Sequence, residues 1–177
     1  AAVILSGDPI VVAQVLMPVR RLAANTPEAV ASAIMERLGK MGEGRLTEPA
    51  VMEAAATAAP SRLLGRSWED LPHWMPQARV ALAATLAAMG TLSDELEVRR
   101  SELLARLAGD GLYAVRRAAY RAFQECAPDH FVRLLGSWSV ATRLGGEGVR
   151  RRAAEASGWL ATRVTVGPIP ALEWDPE

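Results

Sequence analysis

Prolines in this chain fall where helices begin, and that placement leaves little room for any architecture but a helical one. Proline lacks a backbone N–H and has a fixed φ, so it suits a first helical turn and disrupts helix interiors and central strands. Asp8-Pro9 and Thr26-Pro27-Glu28 each set a capping residue directly before such a proline. The helix after Pro27 carries Val30, Ile34, Met35, Leu38 and Met41 at helical spacing, with Gly39 and Gly42 available to end it. Pro18 kinks or breaks the first apolar segment. Thr47-Glu48-Pro49 opens an alanine-rich stretch that Pro60 closes. Residues 61–76 read as an irregular connection with room for one turn of helix, and a helix over Ala78–Met89 ends at Gly90.

The C-terminal half is the most periodic. Ser93 followed by Asp94 and Glu95 is a helix start with acids where the macrodipole favours them, and that helix stops at Gly109. Leu112, Val115, Ala119, Ala122 and Cys126 then form one apolar face, opposite Arg116, Arg117, Tyr120, Arg121 and Gln124. Pro128 ends that helix. Asp129–Trp138 supplies a partner, and a further helix after Gly148 aligns Val149, Ala153, Ala156 and Leu160. Only Arg163–Val166 hints at extended structure, too little for a sheet. The expected class is all-α.

Composition excludes several kinds of protein. With 177 residues, 50% hydrophobic and 23% charged, the chain can bury one core and is too apolar for intrinsic disorder. Cys126 is the single cysteine, so neither a disulfide framework nor a cysteine-based zinc site is expected. It continues an apolar stripe, as a small core residue would. His73 and His130 are the only histidines, which excludes a His-rich metal site, and His130 reads as an exposed first-turn residue. There is no GxxxxGK[ST] or GxGxxG, and Gly145, Gly146 and Gly148 read as a turn between helices. No apolar run approaches a membrane span of about 20 residues. No cofactor, metal or membrane is therefore expected. The basic residues are 19 Arg and one Lys, Lys40, a bias best explained by a GC-rich bacterial genome. The chain starts at Ala1, and Ala1–Leu5 has no basic region before it, so either a leader was removed or, the favoured expectation, this is a piece of a larger cytoplasmic polypeptide.

Val-Arg-Arg occurs at 19–21, 98–100, 115–117 and 149–151. Two copies extend further, VRRAAYRAF (115–123) and VRRRAAEAS (149–157), 34 residues apart, the length of one helix–turn–helix unit. Val and the two shared alanines would face a partner helix while the arginines snorkel outward. Here the sequence resembles HEAT-repeat proteins, in which an acidic turn, Val-Arg and small residues at helical spacing open each repeat. GDGLYAVRRAAYRAF and GGEGVRRRAAEASGWL carry the resemblance, with DELEVRRSELLARL a weaker copy that has Glu102 at the small position. The resemblance implies a right-handed α-solenoid of antiparallel helix pairs; the alternative is a non-repetitive helical bundle. Residues 1–163 would form one domain, irregular to residue 92 and clearest over 93–163, followed by an acidic, proline-containing tail over 164–177.

Two clusters are candidate sites. Trp68, Glu69, Asp70, His73 and Trp74, within WEDLPHW, could set a carboxylate beside aromatic faces, or could pin a connecting loop. Arg116, Arg117, Tyr120 and Arg121, with Arg150, Arg151 and Arg152, could form a ridge across adjacent repeats. Residues 93–163 hold 12 Arg against nine acids, so this ridge could meet phosphates or an acidic partner, or simply pair with neighbouring acids. The expected function is a non-enzymatic scaffold for a protein partner or for ligand sensing, without catalytic residues. The alternatives are a nucleic-acid-binding module, including the HEAT-like alkylpurine DNA glycosylases, and a structural bundle.

Overall fold

A computed structural model of the protein describes residues 1–18, 26–41, 48–127, 129, 151, 154–156 and 158. The chain divides into two units, Ala1–Val132 and Arg133–Glu177. In the first, the described residues form α1 (Ala2–Ser6), α2 (Pro9–Leu16), α3 (Glu28–Met41), α4 (Pro49–Ala58), α5 (Pro60–Gly65), a 3-10 turn (Leu71–His73), α6 (Pro76–Ala88), α7 (Asp94–Ala108) and α8 (Tyr113–Cys126). No strand occurs among the described residues. In the second unit Arg151, Ala154–Ala156 and Gly158 are helical.

The helix starts follow the local chemistry. Asp8 Oδ1 accepts the Ile10 N–H at 2.8 Å, and Pro9 occupies the first turn of α2. α7 carries Asp94, Glu95 and Glu97 in its first turn and Arg106 in its last, which suits the macrodipole at both ends. Asp110 Oδ1 accepts the Leu112 N–H at 2.8 Å and so shapes the entry to α8. Pro60 does more than close α4, because it is also the first residue of α5. The connection read as irregular over 61–76 thus contains α5 and the 3-10 turn, and α6 begins at Pro76.

Alternate helices stack. α8 packs on α6 and α7, α6 also on α4, α7 on α5, while α3 and α2 both meet α4 and α1 meets α3. The direction of the last three helices follows from two arginines. Arg79, near the start of α6, pairs with Asp110, just before α8, at 3.1 Å. Arg100, in the first half of α7, donates to the Met89 carbonyl after α6 at 3.0 Å and to the Cys126 carbonyl ending α8 at 3.2 Å. α6 and α8 therefore run the same way, with α7 opposed to both. Leu82, Leu86, Leu104, Leu107, Val115, Ala119 and Phe123 are buried among these helices. Alanines at 78, 83, 119 and 122, all buried, let the axes approach closely.

The expected inner stripe of α8 holds at Val115, Ala119 and Ala122, whereas Leu112 is exposed and Cys126 half-buried. The expected outer face does not hold throughout: Arg116 and Tyr120 are buried. α8 is enclosed on two sides by α6 and α7, so its buried arc is wider than one stripe. Val98 is exposed where Val115 is buried, so these two copies of Val-Arg-Arg do not occupy equivalent positions. Of the last copy and its helix, Arg151 is exposed and Ala156 buried, while Val149, Arg150, Arg152, Ala153 and Leu160 lie outside the described residues. So do Val19–Arg21, His130, Trp138, the glycines at 145–148 and the tail over 164–177.

Candidate functional site

Among the described residues, four buried arginines, at 37, 79, 100 and 116, organise the helix ends. Arg37 of α3 meets Glu48 through two bonds, Nε to Oε2 at 2.6 Å and Nη2 to Oε1 at 2.9 Å. It also donates to the carbonyls of Ile4 at 2.7 Å and Gly7 at 3.2 Å, where α1 ends. Arg79 donates to the Pro72 carbonyl at 2.6 Å; its Nε lies within ion-pair distance of Asp110 without being aimed at it. Arg116 donates to the carbonyls of Asp110 and Gly111 at 3.0 and 2.9 Å. Only a guanidinium presents five donors in a planar fan, so lysine could not serve these positions. Base composition does not by itself account for arginine here.

The arginine ridge shrinks accordingly. Arg117 and Arg121 are exposed, and Arg121 pairs with Glu125 at 2.8 Å, one turn on. Arg116 and Tyr120 face the interior, and Arg151 belongs to the other unit. Within the first unit, Arg116, Arg117, Tyr120 and Arg121 build no continuous basic surface.

The WEDLPHW segment does bring residues together. The Trp68 and Trp74 rings meet edge to face at 5.5 Å and 62°. The Arg66 guanidinium lies over both rings, at 4.8 and 5.3 Å from their centroids. Asp70 Oδ2 accepts from Arg66 Nη2 at 2.5 Å and from Trp74 Nε1 at 2.9 Å. Glu69 and His73 are exposed, and Glu69 borders a small cleft beside Trp68. The Asp70 carboxylate is thereby engaged in holding the connection, and the ring faces are taken by Arg66 and by each other. Sequence composition marked this segment; Arg66, its organiser, carried no signal.

No family model, no curated protein and no solved structure matches the chain. Function has to be read from the geometry alone.

Among the described residues, two surfaces stand out. One is an apolar groove of about 390 Å³ between α2 and α4, lined by Ile10, Val12, Ala13, Met17, Pro49 and Val51 among others. Ile10 is 71% and Met17 69% exposed, and Val3, Val11 and Val15 are also exposed. Sequence reading marked this stretch only as an apolar segment broken by Pro18, and PIVVAQVL, with Gln14 its one polar residue, has no spacing that separates an inner from an outer face. The other surface is a small polar cleft beside Trp68. Among the described residues, no three His, Cys, Asp or Glu gather as metal ligands, and no helix is long and apolar enough to cross a membrane.

Burial pushes the Cys126 thiol up from its ordinary value; Arg100 pulls it back in part, and Glu97 and Glu125 add to the rise. A raised thiol favours the protonated form in the folded state. Its contribution to stability is therefore full below the ordinary thiol range and is lost as pH rises through the raised value. Alkylation of Cys126 by iodoacetamide at pH 8 is expected to be about tenfold slower in the native protein than in urea. Equal rates would show that burial does not protect the sulfur.

Proposed function

We propose that the chain is a non-enzymatic helical scaffold of HEAT type that docks a partner protein on the groove between α2 and α4. The observation that carries this reading is the exposure of Ile10 and Met17 beside an apolar groove. Large side chains scattered singly on a surface need no explanation, but Ile10 and Met17 both line the groove and give it an exposed apolar wall of the kind partners cover. Ile10 and Met17 stand seven residues apart, so they share one helical face. An amphipathic helix from the partner, with anchors at i, i+3, i+4 and i+7, fits such a groove. The stacking of α4, α6 and α8, with α5 and α7 alongside, supports a repeat-like scaffold.

Selection of peptides from a random display library against the whole chain tests the reading. The expected result is a consensus with helical apolar spacing, whose affinity falls about tenfold or more in Ile10→Glu with Met17→Glu. Both side chains are exposed, so the double variant retains its fold. Peptides without that spacing, or peptides that bind the double variant equally well, would remove the groove as a docking site.

A further inference from the structure

The groove between α2 and α4 constrains its own occupant. An apolar groove takes a helix whose anchors stand at i, i+3, i+4 and i+7. The α2 helix is itself of that kind. On its groove side Ile10 and Met17 stand at i and i+7, with Ala13 and Gln14 between them at i+3 and i+4. Ile10, Gln14 and Met17 are all exposed, so this face is presented outward and not spent on the core. One wall of the groove therefore carries the pattern that the groove receives.

Charge points the same way. No ionisable side chain occurs along the eight residues of α2. Among the described residues lining the groove Glu48 alone is ionisable, and it is buried and held by Arg37 through two hydrogen bonds. Such a surface offers nothing for a basic or an acidic partner to select, whereas two copies of it meet without like-charge repulsion.

Symmetry then supplies a register. A twofold interface uses the same patch on both chains, so that residue i meets j and j meets i. Antiparallel packing of two α2 helices, about an axis midway between Ile10 and Met17, sets Ile10 of each copy against Met17 of the other. Gln14 falls beside that axis, next to its own counterpart, where one amide N–H can donate to the other amide oxygen. A single polar residue within an apolar seam is a known means of fixing register. We infer that the occupant of the groove is a second copy of this chain, the α2 of each protomer lying antiparallel in the groove of the other. This rests on the docking role proposed for the groove and names its partner. At about 1.5 Å per residue α2 is only about 12 Å long, so the contact belongs with small interfaces and a dissociation constant of about 10–100 μM is expected.

Sedimentation equilibrium of the full chain, from about 5 to about 500 μM, tests this. The mass should rise from that of one chain toward that of two. Ile10→Glu with Met17→Glu should remain monomeric throughout while keeping its unfolding midpoint in dilute solution, since both positions are exposed. Register is tested by mixing an Ile10→Glu chain with a Met17→Lys chain. Each alone sets a charge against an apolar side chain twice, whereas the mixed pair sets Glu against Lys once and keeps one Ile10–Met17 contact. The mixture should therefore associate at least about tenfold more tightly than either variant alone. A parent chain that stays monomeric, a dimer that the double variant leaves intact, or a mixture no tighter than its components would each overturn the inference. Helical peptides that bind a strictly monomeric parent would keep the groove as a docking site for a different protein. A monomeric parent that selects no such peptide would remove both readings.

Discussion

Ala119→Glu is expected to abolish cooperative folding of the chain. Ala119 is fully buried on α8. The α8 helix packs between α6 and α7. A carboxylate there would meet only neighbouring core groups, and burying an unpaired charge costs several kcal/mol, a large part of a total stability of about 5–15 kcal/mol. Ala114→Glu, five residues earlier on the same helix but exposed, provides the control and should change stability by about 0.5 kcal/mol or less. Circular dichroism melts distinguish the two. Similar midpoints for both variants would mean that α8 does not present this face to its neighbours.

Arg37→Met should cost about 3–5 kcal/mol, read as a lower urea midpoint, because it leaves Glu48 buried without its partner. The loss exceeds that of a surface pair, since the same guanidinium holds the carbonyls of Ile4 and Gly7 at the end of α1. Arg37→Met combined with Glu48→Leu should recover most of it, because an apolar pair of similar volume removes both charges. Arg37→Lys should stay well below the parent chain, as an ammonium cannot make the two-pronged contact with Glu48. A midpoint unchanged in Arg37→Met would show that the pair does not stabilise the junction of α1, α3 and α4.

Much of the helical framework was readable from the chain. Pro9 and Pro49 open helices because their missing N–H is no loss in a first turn, and Val115, Ala119 and Ala122 declare an inner face by spacing alone. What escaped were residues whose chemistry and location disagree. Arg116 counts as polar in any periodic pattern, yet its stem is buried and its guanidinium reaches the carbonyls of Asp110 and Gly111. Tyr120 was read with it on the outer face for the same reason. Conversely, Ile10 and Met17 are apolar yet stand exposed, since hydrophobicity alone does not say which apolar side chains a fold covers. The candidate sites were half legible. The composition of Trp68–Trp74 drew notice, but Arg99 and Arg106 reach that cleft from a helix about 30 residues later, a proximity that no local pattern encodes.

The buried arginines also set how this chain can change over generations. Most of their acceptors are main-chain oxygens: those of Ile4, Gly7, Pro72, Met89, Asp110, Gly111 and Cys126. Every amino acid supplies a carbonyl, so the connecting segments can vary widely in composition while each joint survives. The donors have no such freedom, because a single nucleotide change at an arginine codon removes the whole fan at once. Mutational tolerance is therefore lopsided, generous in the loops and narrow at four polar positions that hydropathy would rank among the most replaceable. A lineage of such proteins would drift apart in its apolar residues and connections while Arg37, Arg79, Arg100 and Arg116 stayed in place.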